Sequence, residues 1–198
     1  MDTKKNTVKN IFKINEVPLL LVIIVATIVL SFFNSNFLAF GNIHSLFLGA
    51  SFEAIMAIGM TLLLITGEID LSVGSIAGFS GVAVGMCLDA EMSVFMAVII
   101  GLLSGVVIGF INGYLVAKIK INSLIATLGM QMIIRGLIYV LTKGVGKPSF
   151  PDKYNIIGRY MVFGKIQIPI IISLVLVILF AILFAKSAWF RQFYFIGG

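Results

Sequence analysis

Six long apolar runs follow one another along this chain, at about Val17–Phe33, Ser45–Thr66, Leu71–Leu88, Met92–Leu115, Ile121–Thr142 and Ile168–Ala185. A run of about 20 apolar residues is the length of helix that crosses the ~30 Å hydrocarbon core of a bilayer. In lipid each backbone N–H and C=O must be satisfied internally, so such runs fold as helices. The pattern predicts an all-α fold, a polytopic transmembrane helix bundle of about six spans. The composition agrees. Of 198 residues, 60% are apolar and 11% charged, and the mean hydropathy is +1.15. A soluble domain carries about half apolar and about a quarter charged residues, and a chain this small folded in water could not hide the excess. A soluble enzyme, a disordered tail and a nucleic-acid-binding domain are excluded. The net charge of +6 therefore reads as topology signals and contact with anionic lipid, with no nucleic-acid partner.

The positive charges orient the bundle. Lys4, Lys5, Lys9 and Lys13 precede the first run and place the N-terminus in the cytoplasm. That run is longer than a secretory h-region and no small-x-small cleavage site follows, so it reads as a retained span. Residues 1–16 form a cytoplasmic segment and 17–198 the transmembrane domain. Strict alternation puts Lys118, Lys120, Lys186, Arg191 and the C-terminus inside as well. It puts Lys143, Lys147, Lys153, Arg159 and Lys165 in an outer loop, against the usual bias. A second reading stays open, in which the Gly-rich run Leu71–Leu88 does not fully cross.

Two ionisable groups lie inside spans. Glu53 and Arg135 fall at matched depth, about 11–12 Å below the outer boundary at a rise of about 1.5 Å per residue. Intramembrane charges are costly and face a partner or a wet pathway, so Glu53 and Arg135 read as a possible ion pair that fixes helix register, with direct substrate contact or no pairing as the open alternatives. The fourth run carries Gly101, Gly105, Gly109 and Gly113 on one helix face, and the third has Gly74, Gly78, Gly81 and Gly85. Both read as sites of close helix packing.

The most distinctive polar stretch is Thr66-Gly67-Glu68-Ile69-Asp70-Leu71-Ser72. Gly67 permits a sharp turn. Asp70 and Ser72 are both good N-caps for the third helix. The Glu68/Asp70 pair lacks a His or further ligands nearby, so neither a catalytic nor a metal site is expected. No cofactor site is expected either. Cys87 is the single cysteine and His44 the single histidine. Cys87 reads as inert packing, and His44 as a cap or interfacial group. Gly144–Ser149 looks superficially like a phosphate loop, but Leu141 stands where its first Gly is needed and Pro148 where the Mg²⁺-binding hydroxyl is needed. Tyr154, Tyr160, Trp189 and Tyr194 flank span ends and read as interfacial anchors.

Several motifs occur in order. They are Gly59–Ser75 around Thr66-Gly67-Glu68-Ile69-Asp70-Leu71-Ser72-Val73-Gly74-Ser75; Phe110-Ile111-Asn112-Gly113-Tyr114; Ile125-Ala126-Thr127-Leu128-Gly129-Met130; Ile134-Arg135-Gly136; and Tyr194–Gly198. Together they resemble the membrane permease of ribose/xylose/galactose-type ABC importers over about residues 45–198. The resemblance implies a permease subunit of the plasma (inner) membrane that imports a sugar or related small polar solute by alternating access. It implies three protein partners: a separate ATP-binding cassette ATPase, an extracytoplasmic solute-binding protein and a second permease subunit in a dimeric pathway. It carries over Thr66, Gly67, Asp70, Ser72, Gly74, Asn112, Gly113, Thr127, Gly129, Arg135 and Gly136 as pathway-forming or structural residues. Glu68 stands where the family varies and takes no family role. In the family, the segment that contacts the ATPase opens near Gly198 and further spans follow. The resemblance thus implies a C-terminally truncated permease whose transport needs more chain. The alternative function is an ion-coupled secondary transporter or channel, which would need a ring of charges at a midplane ion site.

Overall fold

Each apolar run becomes a helix. The computed structural model describes residues 16–145, 150, 152–162 and 164–197. The lysines at 4, 5, 9 and 13, the last four residues of the phosphate-loop look-alike (146–149) and Gly198 lie outside the described residues. The helices are α1 (Glu16–Phe33), α2 (Phe40–Ile65), α3 (Val73–Asp89), α4 (Val94–Ala117), α5 (Ser123–Thr142), α6 (Asp152–Arg159), α7 (Ile168–Lys186) and α8 (Ala188–Gly197). The chain divides into two units, Met1–Phe47 and Leu48–Gly198.

In the first unit, α1 is followed by a chain of tight turns. Phe37 N donates to Asn34 O and Ala39 N to Asn36 O, both at 3.0 Å. Asn34 Oδ1 accepts from Asn36 N at 2.9 Å, and Asn42 Nδ2 donates to Phe37 O at 2.7 Å. Asn side chains favour such turns because they can replace a backbone partner. His44 stacks on Phe40, with ring centroids 5.9 Å apart.

In the second unit, α3 packs chiefly on α4, then on α5, and α4 packs on α5. A short turn reverses the chain between α3 and α4. Met92 N donates to Cys87 O, Glu91 takes a left-handed φ of 58°, and Ser93 Oγ caps α4 by accepting from Met96 N. Val84 and Leu88 of α3 meet Ala97 of α4 in the apolar core, with Cys87, Val94, Phe150 and Tyr154 packed around them. Cys87 is thus a packing residue. Tyr154 is half-buried against this core and stacks with Phe150, which departs from the expected membrane-interface anchor. Tyr160, Trp189 and Tyr194 are exposed.

The glycine face of α4 does only half of what its spacing suggests. A Cβ at Gly101 would run into Val84 Cγ2, and one at Gly105 would meet Ser80 Oγ at 3.3 Å. Gly109 and Gly113 face open space. The two helices approach closely at Gly101 and Gly105 and meet again where Asn112 reaches Ser72, at the start of α3. On α3, Gly78 meets Ile138 of α5, while Gly74 and Gly81 have nothing near.

Four helices, α2, α4, α5 and α7, are long and apolar enough to cross a membrane; α1 and α3 are apolar but shorter. At 17 residues, α3 rises about 26 Å, just under the ~30 Å core. The surface is largely apolar. Among the described residues, those buried include Ser51, Ser72, Ser75, Asn112, Thr127 and Ser173. An apolar surface with polar side chains buried beside the apolar core is an arrangement that lipid favours, because a polar side chain needs a partner there and an apolar one does not. The fold is an all-α membrane bundle. One small departure lies in the polar loop after α5, which contains α6 and a two-stranded hairpin, β1 (Met161–Val162) and β2 (Ile166–Gln167). Its register pairs Met161 with Gln167, and Gly164 turns at φ 67°.

Candidate functional site

The C-terminal end of α2 stops in a way its sequence dictates. Gly67 adopts φ 81°, a conformation only glycine takes without strain. Glu68 N then donates to Leu63 O at 2.9 Å and Gly67 N to Leu64 O at 3.1 Å. This pair of backward bonds satisfies carbonyls left over at a helix end. Thr66 Oγ1 adds a bond to Leu63 O at 2.8 Å.

Beyond Glu68 the backbone leaves α2, and neighbouring side chains take over its N–H groups. Ile69 N donates to Ser123 Oγ at 3.5 Å, and Leu71 N donates to Thr127 Oγ1 at 3.2 Å. Thr127 Oγ1 in turn donates to Ser123 O at 2.7 Å. Asp70 Oδ1 accepts from Ser72 N at 2.7 Å and from Ser72 Oγ at 2.6 Å. Asn112 Nδ2 of α4 donates to Ser72 Oγ at 2.9 Å. Two backbone N–H groups of the connection thus find acceptors on α5, and α4 joins through the side-chain bond from Asn112 to Ser72. The connection from α2 to α3 is thereby tied to both of its neighbours.

The capping expectation divides. Asp70 accepts an N–H just ahead of α3, as a cap should. Ser72 stands at the N-cap position but makes no side-chain cap bond. Its backbone is helical there (φ −85°, ψ −9°), and its proton goes to Asp70. The hydroxyl links Asp70 to Asn112 instead.

These groups border a cleft of about 620 Å³ at the end of the bundle where α2 and α4 finish and α3 and α5 begin. Thr66, Asp70, Asn112, Gly113 and Thr127 line it, together with Glu68. Gly67 and Ser72 hold its wall without lining it. The other motif residues fall elsewhere. Gly74, Gly129 and Gly136 make no close approach, and Arg135 is exposed on α5. Glu53 is exposed on α2, and among the described residues no ion pair joins it to Arg135. Three polar lining residues were missed by sequence reasoning: Lys120, Asn122 and Ser123. Their signal was present. Asn-Ser immediately before an apolar run is a helix-start signature, and Asn122 Oδ1 caps α5 by accepting from Leu124 N at 3.0 Å. Ser123 and Thr127 are four apart and share a helix face.

Two buried polar atoms at this end have no partner, Asn112 Oδ1 and Ser75 Oγ. Among the described residues there is no cluster of three or more His, Cys, Asp or Glu suited to a metal ion.

Comparison with known proteins places this geometry in context. The chain is 33% identical over 182 residues to the autoinducer 2 import system permease protein LsrC of Escherichia coli (strain SMS-3-5 / SECEC), covering 92% of this chain and 53% of that protein. It is 34% identical over 180 residues to the L-arabinose transport system permease protein AraH of Escherichia coli (strain K12), covering 91% of this chain and 55% of that protein. The L-arabinose ABC transporter permease protein AraH of Azospirillum brasilense is 33% identical over 185 residues, covering 93% of this chain and 54% of that protein. The chain spans about half the length of the curated relatives it matches. No solved structure matches it. The profile described as branched-chain amino acid transport system / permease component matches residues 42–198. With its long apolar helices and polar interior, the chain is a multi-pass membrane protein and belongs to this permease family.

Proposed function

We propose that the chain forms part of the translocation pathway of an ATP-driven importer for a sugar or related small polar solute. A separate ATP-binding cassette ATPase supplies the energy from the cytoplasm, an extracytoplasmic binding protein delivers the solute, and a second permease subunit completes the pathway. The observation that carries this reading is the meeting of motif residues from the α2–α3 connection, α4 and α5 at one cleft. The α2–α3 connection is tied through Ser72 to Asn112 and through Leu71 to Thr127. A displacement of this connection therefore moves α3, α4 and α5 together. Alternating access needs two discrete packings biased by a partner, and a block tied in this way can rock as a unit. On the proposed topology the cleft opens toward the cytoplasm, beside Lys118 and Lys120.

Co-expression of the complete gene product with an ABC ATPase and a binding protein of the same class tests this. The expected result is a stable complex whose ATP hydrolysis rises when the solute-loaded binding protein is added. No complex in mild detergent or nanodiscs would overturn the reading.

A further inference from the structure

Ser72 stands where the cap of α3 belongs, yet its hydroxyl does not cap. A serine there ordinarily accepts from the N–H two or three residues on, which here belongs to Gly74 or Ser75. Instead the Ser72 proton goes to Asp70 Oδ1 at 2.6 Å, and the hydroxyl accepts from Asn112 Nδ2 at 2.9 Å. The first backbone bond back along α3 runs from Ile76 N to Ser72 O at 2.9 Å. The N–H groups ahead of it have no carbonyl to reach within the helix, and Ser75 N is the last of them.

Two side-chain atoms beside Ser72 share this lack. Ser75 is 7% exposed and Asn112 5%, and Ser75 Oγ and Asn112 Oδ1 are both enclosed without a partner. Turning the Asn112 amide around does not help, because only lone pairs of Ser72 face it and its nitrogen must stay on that side. Ser75 also differs from other buried serines. Ser51 Oγ donates to Leu48 O at 2.6 Å, and Ser173 Oγ to Ile170 O at 2.9 Å. The residue three back from Ser75 is Ser72, whose carbonyl already accepts from Ile76 N. Residues three apart are neighbours on one helix face, with about 5–6 Å between Cβ atoms. Ser72 touches Asn112, so Ser75 N and both orphaned side-chain atoms flank a single contact between α3 and α4.

Buried polar groups nearly always have partners. This set asks for a molecule that both donates and accepts. Asn112 Oδ1 needs a donor, Ser75 N needs an acceptor, and Ser75 Oγ can serve as either. Neither orphaned side-chain atom is open to the cleft, so the molecule must be enclosed. A cation would need about six oxygen ligands, and this set offers two oxygens. A buried water makes about three hydrogen bonds to otherwise unsatisfied groups, which matches the three groups present.

We infer that one enclosed water caps α3 in place of the Ser72 hydroxyl, accepting from Ser75 N, bonding Ser75 Oγ and donating to Asn112 Oδ1. The water leaves Ser72 free to hold Asp70, so the bridge from Asp70 to Asn112 and the start of α3 are satisfied together. A water reorients as its partners shift, so α3 can tilt slightly against α4 without baring these groups.

The test is water-to-protein magnetisation transfer by solid-state NMR on the complete gene product in lipid nanodiscs, with and without a gadolinium chelate in the buffer. Transfer to the Ser75 amide should build up several-fold faster than to the Ser51 amide, whose residue is as deeply buried but has its hydroxyl satisfied. The chelate should quench the exposed Val145 amide and spare Ser75. Ser75→Ala removes one of the three partners and suits a helix, and it should slow the build-up at residue 75 several-fold while leaving Ser51 unchanged. Asn112→Leu removes the acceptor and should slow it likewise; where that variant does not fold, Ser75→Ala decides alone. Build-up at Ser75 as slow as at Ser51 means a dry seam and overturns the inference. So does quenching at Ser75 equal to that at Val145, which means open water from the cleft, or a build-up that Ser75→Ala leaves unchanged.

Discussion

Adding one methyl group along the glycine face of α4 should have opposite effects at its two ends. At Gly101 the new Cβ would collide with Val84 Cγ2 and stand 3.1 Å from Ser80 O. Carbon atoms pack best at about 3.5–4.0 Å. Either Val84 or the whole helix must therefore move by about 1 Å. Val84 is buried, and a valine has little χ1 freedom in a helix. Ser80 O belongs to the α3 backbone and cannot yield alone. Overpacking of this kind costs about 1–3 kcal/mol, against about 1 kcal/mol returned by the better helix propensity of alanine. With two neighbours obstructing, Gly101→Ala should destabilise by about 2 kcal/mol. Gly105→Ala meets Ser80 Oγ at 3.3 Å and Ile76 Cγ2 at 3.5 Å, and should be near neutral. Gly109→Ala meets nothing and should stabilise by about 0.5–1 kcal/mol. Reversible unfolding in bicelles reads the order directly. Val84→Ala combined with Gly101→Ala should be less than additive, because the two groups share one space. Equal stabilities for the Gly101 and Gly109 variants would refute the reasoning and return all four glycines to a single role.

Thr127→Val keeps the shape of the side chain but leaves Leu71 N without its acceptor. The bond is part-buried, so its loss should cost about 1 kcal/mol, the low end for an orphaned N–H, and the same unfolding assay should rank Thr127→Val below Thr127→Ser. Equal values would show that the bond is not formed in the membrane. Lys165→Cys, exposed beside the hairpin, should react with an impermeant maleimide added outside intact cells. Reaction only after the cells are opened would reverse the proposed side of the basic loop and favour an α3 that does not fully cross.

Much of the helical layout was legible in the chain alone. Five of the six apolar runs both begin and end within two residues of the helices that form. Lipid demands long apolar helices with internal hydrogen bonds, and that demand is one-dimensional. The end of α2 was also legible, because only glycine takes the φ of Gly67 cheaply. Helix α6 and the hairpin were not, since both lie in a polar stretch with no period to read. The Glu53–Arg135 match rested on depth alone, which says nothing about the direction in which each side chain points around its helix.

The same limit divides the candidate site. Residue order and hydropathy decide which segments are helices and where they stop, since those properties depend on near neighbours in the chain. Tertiary structure decides that Ser72 bridges Asp70 to Asn112 rather than capping α3, and that Thr127 serves the backbone of Leu71. It also decides which glycines touch a neighbour, because Gly101 and Gly105 face α3 while Gly109 and Gly113 face open space. Ser72 and Asn112 are 40 residues apart, and Asp70 and Lys120, both on the cleft rim, are farther apart still. Such partnerships depend on how far each helix is rotated and tilted against the next, and packing sets these angles only once all the helices are in place.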